Sequence, residues 1–306
     1  MVDRGVDMRK LLITGGSGFV GGTLIRMASA SWDTYATFCS SEVEAPRLKG
    51  VLRMDLARRQ EVESVVGSVR PDVIIHTAAM SRVAECCGNP ELAHAVNVAG
   101  TESIVQAAES IGARLVHVST DMVFDGEKGR YTEDDSPNPL SAYGRTKYES
   151  EQRVAAAKVP SCIARTALIY GLSHGACACF AQTMLSNLVN SRPVTLYTDE
   201  YRSPVLCSEM CSMLLEMADN EDLHGLYHVC GPERVSRYTF GQSMCEVFGL
   251  PEDGIVTASA DSHGGDEPRP KDCSLVNTRQ AEFQTRCCGV TEGLQQMKTN
   301  LARHQA

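Results

Sequence analysis

Apolar residues in the first half of this chain gather in short runs separated by longer stretches of mixed polarity. The runs Lys10–Thr14, Thr34–Phe38, Val51–Met54, Pro71–His76, Arg114–Val118 and Ser161–Thr166 predict strands. Such runs are continuously apolar, as expected of parallel strands covered on both faces. The intervening stretches predict helices over Thr23–Ala30, over Arg58–Val69, from Asn89-Pro90-Glu91 to about Ile111, and from Tyr143 to Ala157. Strand and helix alternate with short connections, which predicts an α/β fold: a Rossmann-type, doubly wound parallel sheet.

Beyond Gly171 the alternation weakens. Helices are predicted at Phe180–Val189, Leu206–Ala218 and Ser236–Phe248, the last with Ser236 as its cap. Val194–Tyr197 predicts a short strand, and Gly225–Gly231 a strand and turn; Arg269-Pro270 and Ser274-Leu275 lie in an extended stretch. The expected organisation is a main domain over residues 1–171 and a smaller C-terminal lobe over 172–306, interleaved with late strands of the main sheet. The loop from Asp125 to Pro139, rich in Gly, Asp, Glu and Pro, is expected to border a cleft, with Glu133-Asp134-Asp135 as a solvated turn. Asn97, polar inside a helix, is expected to fasten a neighbouring loop.

Composition narrows the function classes. A net charge of -9 argues against a general nucleic-acid binder. No apolar run reaches the roughly 20 residues of a membrane span, and Met1 to Lys10 do not form a secretory signal. The 13 cysteines are therefore expected as reduced thiols in a cytoplasm. His174, Cys177 and Cys179 are the one grouping with metal-ligand chemistry. Their spacing is not a usual zinc pattern and no fourth ligand is evident, so no metal is expected.

Two motifs carry chemistry. The first strand runs into Gly15-Gly16-Ser17-Gly18-Phe19-Val20-Gly21-Gly22 and then a helix. Glycines in a G-x-x-G-x-x-G spacing permit a tight turn, close approach of a pyrophosphate and close packing of helix on strand. The helix start offers N–H groups and partial positive charge to phosphates. Phe19 and Val20 are expected to pack inward. After the second strand stands Phe38-Cys39-Ser40-Ser41, with no acid until Glu42 and no base before Arg47. A carboxylate there would bind a ribose 2′-hydroxyl and repel a 2′-phosphate, so the cofactor expected is NADP(H), with NAD(H) possible. Asp55 either accepts from an adenine amino group or caps the following helix; the residues leave both open.

The second motif joins Ser119-Thr120-Asp121, at a strand end, to Tyr143-Gly144-Arg145-Thr146-Lys147, at a helix start. Tyr143 and Lys147, four apart, share a helix face. A nearby ammonium favours the phenolate of a tyrosine that otherwise titrates near pH ~10. The Thr120 hydroxyl can hold the same substrate oxygen. This trio suits carbonyl–alcohol redox chemistry with hydride from a cofactor, since no side chain carries one.

Taken together, Gly15/Gly18/Gly21, His76-Thr77-Ala78-Ala79, Asn97-Val98-Ala99-Gly100-Thr101, Ser119-Thr120-Asp121, Tyr143-x-x-x-Lys147 and Arg165 to Gly171 resemble the extended short-chain dehydrogenase/reductase superfamily. Leu115 to Gly126 with Pro139 to Gly144, and Gly225 to Gly231 with Arg269-Pro270, look most like dTDP-4-dehydrorhamnose reductases, which reduce a 4-keto sugar nucleotide with NAD(P)H. The resemblance implies Thr120, Tyr143 and Lys147 as catalytic residues. It implies cofactor contacts from Gly15, Ser17, Gly18, Phe19, Val20, Ser40, Asp55, Leu56, Thr77, Ala78, Ala79, Tyr143, Lys147 and Ile169. It implies substrate contacts from Asp121, Val123, Arg202 and Arg269, and a lobe that holds the sugar nucleotide.

The chain departs from typical members at Phe19-Val20, where they have Gln-Leu, at Met122, where they have Tyr, and over Asp199 to Val205. It also looks like the regulatory β subunit of methionine adenosyltransferase, which binds NADP and contacts another protein. A sugar-nucleotide epimerase of the same superfamily is a further alternative. A dehydratase is disfavoured because Met122, and not Glu, follows Asp121. A homodimer is the default assembly.

Overall fold

The computed structural model describes residues 8–28, 31–41, 43, 48–173, 179–262, 264 and 268–305. Glu42, Arg47, His174 and Cys177 lie outside them.

The first half alternates as its hydrophobic pattern requires: β1 (Lys10–Thr14), α1 (Phe19–Ala28), β2 (Asp33–Phe38), β3 (Gly50–Arg53), α2 (Arg59–Val69), β4 (Val73–His76), α3 (Val83–Gly88), α4 (Pro90–His94), α5 (Gly100–Ile111), β5 (Arg114–Thr120), α6 (Ala142–Ala155) and β6 (Ser161–Thr166). There follow β7 (Ile169–Tyr170), α7 (Phe180–Val189), β8 (Val194–Tyr197), β9 (Tyr201–Arg202), β10 (Val205–Leu206), α8 (Cys207–Asp219), β11 (Gly225–Val229), β12 (Val235–Ser236), α9 (Arg237–Phe248), β13 (Ile255–Ala258) and α10 (Val290–Gln305).

Seven strands form one parallel sheet in the order β11-β6-β5-β4-β1-β2-β3. The chain winds outward from β1 to β3, then crosses back to β4 on the other side of β1. That reversal is the switch point of a doubly wound sheet, and ligand clefts open at the carboxyl ends of the strands beside it. The Gly15 turn follows β1 and Thr77–Ala79 follow β4, so both stand at this point. β11, from the C-terminal half, closes the far edge beside β6.

Strand side chains alternate between two cores, as a period of two demands. Leu11, Ile13, Val73, Ile75 and Val116 pack under α1 and α8 with Leu24, Ile25, Met210 and Leu214. Leu12, Ile74 and Leu115 face α2 and α5 with Val62, Val66, Ile104 and Ala108. These residues are almost wholly buried, each contributing about 1.5–3 kcal/mol for a large aliphatic side chain. A third core joins α7, α9 and α10 through Met184, Leu188, Phe240, Met244, Leu294 and Met297.

Several elements differ from expectation. α1 begins at Phe19, not Thr23, because the helix opens directly on the glycine turn. Gly15 takes φ +71, and a Cβ on Gly21 would overlap the Gly15 carbonyl, so turn and helix could not close with larger residues. The long helix after Pro90 carries a π turn, Ala95–Ala99, between α4 and α5. α3 and α10 were not read from the pattern, although Val290, Leu294 and Met297 are buried at helical spacing. Glu133 is no solvated turn residue: its carboxylate accepts from the His228 and Thr278 backbone N–H groups, pinning the loop to β11 and the C-terminal segment.

Candidate active site

A cleft of about 1350 Å³ opens over the carboxyl ends of the main-sheet strands. Of the residues expected in the site, Gly15, Ser17, Gly18, Phe19, Val20, Ser40, Asp55, Leu56, Thr77, Ala78, Ala79, Thr120, Asp121, Tyr143, Lys147, Ile169, Arg202 and Arg269 all line it. Val123 does not, and the expectation of a substrate contact there is corrected: its side chain is fully buried in a core with Phe124 and Tyr131. An apolar side chain three residues past a strand end satisfies the core when the intervening turn swings it inward.

The trio is assembled by local caps. Thr120 ends β5 and its hydroxyl accepts from the Met122 N–H at 3.2 Å, closing the turn that follows. The Ser141 hydroxyl caps α6, accepting from the Gly144 N–H at 3.0 Å. A Cβ on Gly144 would overlap the Met122 carbonyl, so glycine there lets the helix start press against the Thr120 turn. Asn97, on the π turn, accepts from the Met80 N–H at 2.8 Å and donates to the Met80 carbonyl and to Thr146 Oγ1, both at 3.0 Å. It ties the loop after β4 to α6, the fastening role expected of it.

Burial governs the ionisation of this floor. It pushes the Tyr143 phenol well above its ordinary value, while a hydrogen bond with the Thr120 hydroxyl pulls it down. Burial brings Lys147 down to about 8, opposed by Glu151. The expected lowering of the phenol does not prevail here: desolvation raises it, and what opposes the rise is the Thr120 hydroxyl. The Lys147 Nζ stands 3.1 Å from Nε2 of His117. His117 and His76 are both buried, with ring centroids 5.3 Å apart, and burial holds His76 at about 3 and His117 well below its usual value. His76 and His117 each stand in a stretch that carries the resemblance, but nothing local marks that the two meet, because each sits in an apolar strand. One turn beyond Lys147, Glu151 takes a bidentate pair from Arg165 at 2.9 and 2.7 Å and locks α6 to β6.

The opposite wall is charged. Glu200, wholly buried, accepts from Arg237 Nε at 2.9 Å and from Arg269 Nε, and pairs with Arg202 at 3.4 Å. Burial pushes this carboxyl up, but Arg237, Arg202 and Arg269 outweigh it and bring it to about 2. Arg202 also pairs with Asp121 at 3.3 Å and donates to the Tyr201 and Pro270 carbonyls at 2.7 and 3.2 Å. Its guanidinium is thus engaged within the wall, whereas Arg269 and Arg237 retain partial exposure. Burial raises Asp121, and Arg202 opposes it. Glu200 and Arg237 were missed in the sequence; Arg237 sits directly after the Ser236 cap, which is its only local mark.

Asp55 accepts from the Ala57 N–H at 3.0 Å and pairs with Arg58, so it closes the turn into α2 while its residue lines the cleft. Cys179 donates to the Gly171 carbonyl at 3.1 Å. Among the described residues no cluster of His, Cys, Asp and Glu is arranged to hold a metal, no disulfide forms, and no helix is long and apolar enough to cross a membrane.

Comparison with known proteins places this geometry. The RmlD substrate binding domain model matches residues 8–303. A dTDP-4-dehydrorhamnose reductase of Mycolicibacterium smegmatis is 30% identical over 280 residues, covering 90% of this chain and 81% of that protein. Methionine adenosyltransferase 2 subunit beta of Xenopus tropicalis is 30% identical over 283 residues, covering 88% and 81%. The crystal structure of dTDP-4-dehydrorhamnose reductase from Bacillus anthracis in complex with NADP superposes with a TM-score of 0.84 at 25% identity, covering 95% of this chain and 99% of that one. The chain belongs to the RmlD substrate-binding domain family, within the extended short-chain dehydrogenase/reductase superfamily.

Proposed function

We propose that this protein is an NADP(H)-preferring reductase of a 4-keto sugar nucleotide, of the dTDP-4-dehydrorhamnose reductase kind. The observation that carries the reading is the meeting of Thr120, Tyr143 and Lys147 on one wall of the cleft that also holds the glycine turn. The turn presents main chain and the start of α1 rather than side chains, which suits a cofactor diphosphate. Gly15, Ser17, Gly18, Phe19 and Val20 would hold that diphosphate; Ser40, Asp55, Leu56 and Thr77–Ala79 the adenosine half; and Ile169, Tyr143 and Lys147 the nicotinamide half.

When bound, the nicotinamide supplies the hydride that forms the new C–H bond at the carbonyl carbon. Tyr143 donates its phenolic proton to the carbonyl oxygen, completing the alcohol. Thr120 donates a hydrogen bond to the same oxygen and fixes its position. Lys147, as an ammonium, favours the phenolate that remains. Arg237 and Arg269 turn partly exposed guanidinium groups to the cleft, which suits the diphosphate of a sugar nucleotide. Residues 1–171 serve the cofactor and 172–306 the substrate in this reading, and the protein works as a cytoplasmic homodimer.

NADPH oxidation against a panel of 4-keto sugar nucleotides, with NADH run beside it, tests the proposal. Turnover with at least one of them, faster with NADPH, is expected; none with any would remove it. The likeness to methionine adenosyltransferase 2 subunit beta favours a second reading, a non-catalytic NADP-binding regulatory subunit. Co-purification of a larger enzyme, with NADPH bound but never consumed, would decide for that reading.

A further inference from the structure

A buried ammonium needs acceptors, and the contact Lys147 makes is directed to the strand beneath it. The Nε2 atom of His117, on β5, lies 3.1 Å from Lys147 Nζ and 3.0 Å from Ser150 Oγ. The Ser150 hydrogen is committed elsewhere, to the Lys147 carbonyl at 2.7 Å. Ser150 therefore offers His117 only a lone pair. Two arrangements follow. With Nε2 bare, it accepts from the Lys147 ammonium, and the ring hydrogen sits on Nδ1, a buried atom with no partner among the described residues. With Nε2 protonated, it donates to Ser150, and the lysine has no acceptor there. A buried N–H without a partner is costly, so the first arrangement persists only while a charge-assisted bond to Lys147 offsets it.

We propose that His117 is a positioning residue: its Nε2 lone pair keeps Lys147 charged and seated on α6 one turn from Tyr143, and Ser150 is the alternative partner of that nitrogen once the lysine is neutral. The catalytic consequence rests on the reductase reading; the coupling itself does not. The groups around Lys147 are His117 from β5, His76 from β4, Thr120 and Asp121 at the exit of β5, and Tyr143 and Glu151 from its own helix, the last tied to Arg165. Burial, with Lys147 and His76 adding to it, keeps the His117 ring neutral, so it remains an acceptor across the working range while Lys147 titrates near 8.

The test compares wild type, His117→Gln and His117→Leu, all stripped of nucleotide and checked for fold by circular dichroism. Lys147 lines the cleft, so its acetylation by acetic anhydride can be followed by peptide mass spectrometry as a function of pH. A glutamine amide oxygen can replace Nε2 as acceptor; a leucine cannot. In His117→Leu the labelling midpoint should fall by about one pH unit, and in His117→Gln it should stay within a few tenths of wild type. With substrate, the alkaline limb of kcat should move down with the midpoint while KM for the sugar nucleotide holds. His117→Asn, polar but too short to reach, replaces the leucine variant if that one fails to fold. Equal midpoints in all variants, or a glutamine variant shifted as far as leucine, overturn the proposal. If wild type turns over no sugar nucleotide, the reductase reading falls, and the labelling midpoints still decide the role of His117.

Discussion

The two walls of the cleft solve the burial of ionisable groups in opposite ways. On the floor, Tyr143, Lys147, His76 and His117 have hydrogen bonds but, among the described residues, no ion pair of their own, and desolvation is the largest influence on their ionisation. On the facing wall, Glu200 stays charged because three guanidinium groups surround it. Burial raises both carboxyls on that side, but for Glu200 the ion pairs win, and for Asp121, with Arg202 as its near partner, burial wins. The lesson is that one near guanidinium, even with the Thr120 hydroxyl beside it, does not offset desolvation at this depth, and three guanidinium groups do. The floor is thereby left with a neutral phenol and neutral imidazoles around one amine, Lys147, brought down to about 8, and the wall with fixed charge.

The sharpest way to break the contrast is Tyr143→Phe. It removes the proposed proton donor and little packing, so turnover should fall by about 10²–10⁴-fold while NADPH binding, read by fluorescence, is kept. Turnover within a few-fold of wild type would mean that the floor is not where protons move. On the wall, Glu200→Gln leaves three buried or half-buried guanidinium groups short of a carboxylate. A loss of about 3–5 kcal/mol in urea unfolding is expected, with a loss below about 1 kcal/mol arguing that the cluster is not held by charge.

Titration separates the two walls further. Glu200 has a folded value of about 2 against 4.5, so the unfolded chain binds more protons between these limits. Its contribution, about 3 kcal/mol, is present above 4.5 and is lost as pH falls through 2. Lys147 has a folded value of about 8 against 10.5, so here too the unfolded chain binds more protons, but in the alkaline window. Burying the ammonium costs stability below 8, and stability should recover as pH rises from 8 to 10.5. Unfolding curves across both windows, with Glu200→Gln flattening only the acid slope and Lys147→Met only the alkaline one, would confirm the division. A variant that flattened the other window would contradict it.

The smallest effect concerns the supports. Asn97→Ala removes the bonds to Met80 and Thr146 and should cost about 1–3 kcal/mol in thermal or urea unfolding. An unchanged stability would show that the π turn, not the amide, holds the loop after β4 to α6.

Much of the glycine-turn side of the cleft was legible in the sequence because its signals are local. An apolar run bounded by glycines and a tyrosine four residues before a lysine each lie within one or two turns of chain, as does the Ser236 cap farther along. α10 was missed although Val290, Leu294 and Met297 hold helical spacing, since its polar majority hides them. Val123 was misplaced because its motif neighbours face the cleft and nothing in the residues says where the turn reverses.

By itself the sequence determined the strands of the doubly wound sheet, the glycine turn and the shared face of Tyr143 and Lys147, all set by backbone periodicity and nearest-neighbour sterics. Only the tertiary structure decided which charges meet. Glu200 finds Arg237 and Arg269 across 37 and 69 residues, and Lys147 finds His117 across 30. Those pairings follow from how the sheet and its late segments fold back on one another. The cost of desolvation, which dominates on the floor and is outweighed by ion pairs at Glu200, exists only once that packing has excluded water.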